Sequence, residues 1–379
     1  MHRGKFLTSA FTVATLLALT GGEVVGQDSA DPNASIDQIA FGTRAGEFLL
    51  VPVGARAAAM GQAASAFADD ATSLYWNPAN AGFASDKVNA HFSFYDYVLD
   101  TSYSWGGVTF PLSGGDWVIG FQVGGFSFED GLETTVAQPE GTGSTFSNSM
   151  FVGGLTAAFN VTDRFSFGAT GKFVQESLAD TDGSTLAVDL GTNFHTTVSD
   201  RMLRASFAIL NLGGEIEQSG SDLEITVQNP DPNEPNRQDR AELRTQPFPL
   251  PVMFKVGLAY DAVSTASNRL MLSGEFWQPQ QNNTSAAFGA EYTIMPEGVP
   301  GFSAALRGGY TYEPDRSFDE TTVGTSLSLD DDGADGLAGG GGISWRPSDP
   351  ESFGFSLDYA YRHLGLLEGT NMFSVSINF

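Results

Sequence analysis

Four nine-residue stretches of this chain keep one face apolar by strict alternation. They are FSFGATGKF (165–173), LAVDLGTNF (186–194), VMFKVGLAY (252–260) and FGFSLDYAY (353–361). A period of two puts Phe165, Phe167 and Phe173, or Val252, Phe254, Val256, Leu258 and Tyr260, on one side of a strand. A helix would need them three and four apart. About fourteen such segments begin near residues 88, 102, 116, 148, 164, 184, 202, 250, 268, 284, 301, 336, 353 and 370. Each approaches the roughly ten residues with which a tilted strand crosses a bilayer. Six short connections, such as NVTDR at 160, TVSDR at 197 and DAVSTASN at 261, alternate with longer ones at about 128–147, 213–249 and 313–335, and three others on that side are modest. Short turns at one end and long loops at the other are the asymmetry of an outer-membrane barrel. The expected fold is therefore all-β: a 14-stranded antiparallel transmembrane β-barrel over 88–379, preceded by a short N-terminal helical plug in its lumen over 36–87.

Composition agrees with that class. The chain has 45 Gly, 30 Phe, 12% aromatic and only 17% charged residues, less charge than a soluble domain usually carries. The basic start His2, Arg3 and Lys5, the apolar run FLTSAFTVATLLAL and the small residues up to Gly26 read as a signal peptide over 1–26, with a flexible stretch over 27–35. No later run reaches the 18 or so apolar residues of a membrane helix. The absence of cysteine excludes disulfides, thiolate metal sites and thiol nucleophiles.

The formal net charge is −27, which argues against nucleic acid as a partner, since phosphate binding needs clustered Lys and Arg. Much of the acid falls in the long connections: Glu215, Glu217, Asp222 and Glu224 in one, Asp330, Asp331, Asp332 and Asp335 in another. These read as acidic, solvated extracellular loops. The stretch DDDGADG (330–336) suggests Ca²⁺ but lacks the ligand spacing and closing Glu of an EF-hand loop, so no metal site and no cofactor are assigned. The strand charges are different. A charge facing lipid costs about 2 to 4 kcal/mol at the bilayer midplane. Parity turns Lys172, Asp189, Arg204, Lys255, Glu275, Glu291, Arg307 and Asp358 away from the aromatic face and into the lumen. Both signs are present there, which suits pairing between strands or with a plug better than a funnel for one ion. No catalytic residues are expected: His91, His195 and His363 fall on separate strands, outside any nucleophile-elbow or HExxH context.

Residues 36–87 do not alternate. GARAAAMGQAASAFADDATSLY (54–75) is dense in Ala, a strong helix former, with Gly61 interrupting. Pro78 disfavours helical geometry at Asn77, so the helix ends by there, and the Asn-Pro step is expected to separate the plug from the first wall strand. The chain closes on MFSVSINF, with Phe373, Val375, Ile377 and Phe379 on one face. That pattern resembles the terminal signal read by outer-membrane insertion machinery.

The stretch 42–83 resembles the N-terminal signature of the PorV/PorQ family, outer-membrane barrels related to FadL. The matching residues are Phe48-Leu49, Pro52 to Ala57 with Gly54 and Arg56, Met60-Gly61, Ala68-Asp69-Asp70 and Tyr75-Trp76-Asn77-Pro78-Ala79. Asn80-Ala81 stands where the family commonly has Gly-Leu. The resemblance covers about a tenth of the chain. It implies a fourteen-stranded barrel with the N-terminal segment inside. It also implies a role in type IX secretion: binding the signal domains of secreted cargo, or holding secretion-complex subunits at the membrane. The long outer loops are then the candidate partner surface, with Leu223, Ile225, Val227 and Phe248 exposed on it. The alternative is a FadL-like channel for hydrophobic small molecules, with membrane lipid as the surrounding partner in either case.

Overall fold

The computed structural model describes residues 44–84, 87–97, 101–112, 115–228, 238–279, 284–313, 336–347, 353–365 and 369–379. The expected signal peptide, the 27–35 stretch and most of the DDDGADG run lie outside them.

Fourteen strands form the wall. They are β1 Asn89–Asp96, β2 Thr101–Leu112, β3 Trp117–Phe128, β4 Asn148–Thr162, β5 Phe165–Leu178, β6 Thr181–Val198 and β7 Arg201–Gly213. The second half comprises β8 Met253–Ser264, β9 Asn268–Pro279, β10 Ser285–Ile294, β11 Phe302–Tyr312, β12 Leu337–Trp345, β13 Gly354–His363 and β14 Gly369–Asn378. Each is antiparallel to its sequence neighbours, and β1 also pairs with β14, Asn89 opposite Asn378 through Asp96 opposite Asn371. The sheet is therefore a closed cylinder without free edges, the form in which strands can satisfy their backbone inside lipid.

Alternation along the wall is the reason it can sit there. In β8, Phe254, Val256 and Leu258 are exposed while Met253, Lys255 and Gly257 are buried. In β14, Phe373, Val375 and Ile377 face out while Met372, Ser374 and Ser376 face in. Leu186 and Leu306, on the same outward face, are 70% and 72% exposed, as a wall that faces lipid allows. On the long-loop side four short connections accompany the three long ones, one more than the three modest ones read from the sequence, since fourteen strands need thirteen connections; the shortest is the two-residue turn Ala179-Asp180 between β5 and β6. A second difference concerns Asp261, which reads as the start of a turn. The strand runs on to Ser264 through a bulge between Asp261 and Val263, and Asp261 faces inward.

Residues 44–84 pack against the inward faces of opposite sides of this wall. Two one-turn helices, α1 Ala55–Ala59 and α2 Ser73–Trp76, join 3₁₀ turns at Glu47–Leu50 and Pro78–Phe83. α1 lies on β11 to β14, α2 touches β3, and the Pro78–Phe83 turn lies on β4 to β6. α2 ends at Trp76, and Asn77 is extended (φ −165°, ψ 110°), as the following proline requires. The Asn-Pro step does not mark where the wall begins, however: residues 78–82 are as buried as those before it, and the first strand starts only at Asn89.

Candidate functional site

The buried segment is held by polar groups projecting from the strands. Ser65 N donates to Glu275 Oε2 (2.7 Å), Gly46 N to Glu176 Oε1 (2.6 Å) and Ala55 N to Ser374 Oγ (3.2 Å). From the wall, Ser166 Oγ donates to Ala79 O (2.7 Å), Thr311 Oγ1 to Gly61 O (2.8 Å) and Tyr95 Oη to Pro52 O (2.8 Å). Asn77 is fully buried. Its Nδ2 donates to Ser65 O and Thr192 O at 3.2 and 3.1 Å, and its Oδ1 accepts from Ala79 N at 3.1 Å. Trp76 Nε1 closes the segment on itself through Val53 O (2.9 Å). These bonds satisfy backbone groups that short helices leave unpaired.

Close approach needs wall positions without a side chain. Gly309 of β11 lies against the Met60–Gly61 backbone, where a Cβ would overlap main-chain atoms, and Gly61 takes a left-handed φ of 63° against Tyr310. Gly54 and Met60 flank α1, and Met60 is fully buried.

The inward charges form pairs. Lys172 Nζ lies 2.8 Å from Asp189 Oδ1 and also donates to Asn211 Oδ1. Asp189 sits at the β6–β7 bulge, where its Oδ1 accepts Asn211 N at 2.7 Å. Lys255 Nζ is 3.1 Å from Glu275 and lies over the Trp76 ring at 4.5 Å and the Trp277 ring at 5.4 Å. Glu291 carries two guanidinium groups. Arg56 of α1 binds it in bidentate fashion (2.8 and 2.9 Å) and reaches Asp69 at 2.8 Å, while Arg307 binds Glu291 at 2.7 Å and Asp358 at 2.6 Å. Arg204 reaches Asp261 at 3.3 Å, and Arg269 joins the same carboxylate at 2.9 Å. Asp261 and Arg269 escape the strand-parity argument because they sit at strand ends. Asp70 binds locally, accepting from Thr72 N at 2.8 Å.

Above the segment, at the long-loop end, lies a cavity of about 660 Å³. Phe48, Leu49, Tyr97, Phe126, Phe128 and Trp277 contribute its apolar lining. Tyr97 and Phe126 meet edge to face at 5.6 Å, as do Phe126 and Phe128 at 5.2 Å. Arg44, Glu47, Glu176, Lys255, Glu313 and Arg362 share the lining. Burial pushes the Glu47 carboxyl above the usual range; Arg44 opposes the rise and Glu176 adds to it. A smaller polar cavity of about 110 Å³ lies at the short-turn end, beside Arg56, Asp69, Glu291, Arg307 and Asp358.

The loop candidates separate. Ile225 and Val227 are exposed on the hairpin Glu224–Gln228/Gln238–Glu242, and Leu223 precedes it, partly buried. Phe248 belongs to a different ribbon, paired with buried Ile216.

Fourteen closed antiparallel strands, an apolar exterior and a charged, paired interior define a transmembrane β-barrel of the outer membrane. Solved structures of similar fold include hydrocarbon channels and transporters. The CymD monoaromatic hydrocarbon channel is similar at TM-score 0.51 and 12% identity, over 87% of this chain and 97% of that one. The Pseudomonas putida toluene transporter TodX gives 0.52 and 13%, over 86% and 97%. The Ralstonia pickettii toluene transporter TbuX gives 0.50 and 12%, over 87% and 98%. The chain matches no protein-family model and no curated protein.

Proposed function

We propose that this barrel takes up hydrophobic small molecules from outside the cell, with the outer cavity as the binding site and residues 44–84 as an internal plug. The cavity carries the reading: about 660 Å³ at the long-loop end, lined by aromatic and aliphatic side chains with charged groups among them and floored by the buried segment, within the usual size of small-molecule sites. The hydrocarbon channels and toluene transporters of like fold support it. Passage inward requires the plug to yield, because its backbone and Arg56 are bound to the wall. The test is equilibrium binding of radiolabelled toluene to the barrel in lipid nanodiscs, against empty nanodiscs. Saturable binding that weakens in Tyr97→Ala and Trp277→Ala is the expected result. Binding no greater than that of empty nanodiscs refutes it.

The resemblance of residues 42–83 to PorV/PorQ supports a second reading, in which the outer hairpin with exposed Ile225 and Val227 binds secretion cargo or secretion-complex subunits. Deleting residues 214–246 then abolishes capture of cargo signal domains while the barrel stays folded; unchanged capture rejects it.

A further inference from the structure

The outer cavity holds two guanidinium groups that each keep at least one buried donor without a hydrogen-bond partner. Arg44 is 93% buried by its side-chain exposure of 7%, and its Nε lies 2.9 Å from Glu47 Oε1 without hydrogen-bond geometry. Among the described residues, Arg44 Nε and Nη1 and Arg362 Nε are buried with no acceptor. Both side chains line the cavity. Of the other charges there, Lys255 meets Glu275 and two indole rings, Glu176 accepts Gly46 N, and Glu47, half exposed, forms an ion pair with Arg44; Glu313 completes the charged lining. Leaving a buried charged donor unsatisfied is costly, and a bound acceptor removes that cost.

The aromatic lining is adjacent. Arg362 of β13 pairs with Thr370 of β14, whose Oγ1 donates to Asp96 O, next to Tyr97. Tyr97 in turn meets Tyr95 and Phe126 edge to face. Aromatic rings favour such edge-to-face partners, and a guanidinium is the group best suited to a planar carboxylate.

We infer that the outer cavity selects aromatic carboxylates over bare hydrocarbons, with the ring among Tyr97, Phe126 and Phe128 and the carboxylate on one of the two guanidiniums, Arg362 or Arg44. This rests on the small-molecule reading above but goes beyond it, since that reading asks only for apolar space.

The test compares phenylbutyrate, phenylbutanol and butylbenzene, which share ring and tail and differ in the head. Each is titrated into the full barrel in nanodiscs, with empty nanodiscs subtracted. The comparison is repeated with Arg44→Gln, Arg362→Gln and the double variant, each confirmed as folded by its heat-dependent gel mobility. Phenylbutyrate is expected to bind roughly tenfold or more tighter than phenylbutanol, the scale of a charge-assisted hydrogen bond. In the double variant that preference is expected to vanish while butylbenzene affinity holds. Equal affinity for the acid and the alcohol overturns the inference but leaves hydrocarbon binding standing, as does a preference that survives in the double variant. Binding of none of the three removes both readings.

Discussion

Glu291 is the sharpest point at which to perturb the docking of residues 44–84 on the wall. Its carboxylate accepts both Arg56 on the segment and Arg307 on the neighbouring strand, and its side chain is only 4% exposed. Glu291→Gln removes the charge and leaves two buried guanidiniums facing a neutral amide. Removing one partner of a buried ion pair costs about 3 to 5 kcal/mol. Arg56→Met should cost less, because Glu291 keeps Arg307 and the abandoned Asp69 side chain is 47% exposed and can hydrate. Arg56 crosses from residues 44–84 to the wall, whereas Arg307 pairs with Glu291 within the wall, so the Arg56 share of the loss falls on docking of the segment. The readout is amide hydrogen exchange at Ala58, Gly61 and Gln62, whose N–H groups bond within the segment. A loss of about 3 kcal/mol raises their exchange roughly a hundredfold if exchange proceeds through segment opening, while β8 and β14 amides stay protected. Unchanged exchange in Glu291→Gln, or an Arg56→Met effect as large, would refute the reasoning.

Three further outcomes follow from the packing. Leu258→Arg puts a charge on the lipid face near the middle of β8 and should cost about 2 to 4 kcal/mol, read as a lower yield of folded barrel in vesicles; Leu258→Phe should be neutral. Gly309→Val collides with the Met60–Gly61 backbone and should expose the segment to protease with the wall intact; wild-type protection would mean that the close approach is not needed. Asn77→Leu loses three hydrogen bonds at a fully buried site and leaves carbonyls unsatisfied, a cost of about 3 kcal/mol on the scale of about 1 per bond plus desolvation; chemical denaturation followed at Trp76 measures it, and a shift within error counts against the assignment.

Much of the wall was legible because a strand's period of two is a local property. Phe254, Val256 and Leu258 on one face oblige Lys255 to take the other, whatever the rest of the chain does. The end of α2 was legible for the same reason: Pro78 restricts its own neighbour. The Asn-Pro step misleads as a boundary because proline halts a helix without deciding where the chain goes next, and residues 78–82 remain buried beyond it. Asp261 misleads because turn-like composition extends past the bulge where the strand still continues.

Parity states which side of the wall a charge faces, but not which charge it meets. That depends on strand register and on what fills the lumen, both set by contacts between distant parts of the chain. Arg56 and Glu291 are separated by 235 positions, and no local pattern joins them. The apolar exterior is thus written residue by residue, because lipid acts on each side chain separately. The ion pairs, the Gly61–Gly309 contact and the outer cavity with its two partly unsatisfied guanidiniums exist only once the cylinder has closed around residues 44–84, because each is made by groups that closure alone brings together.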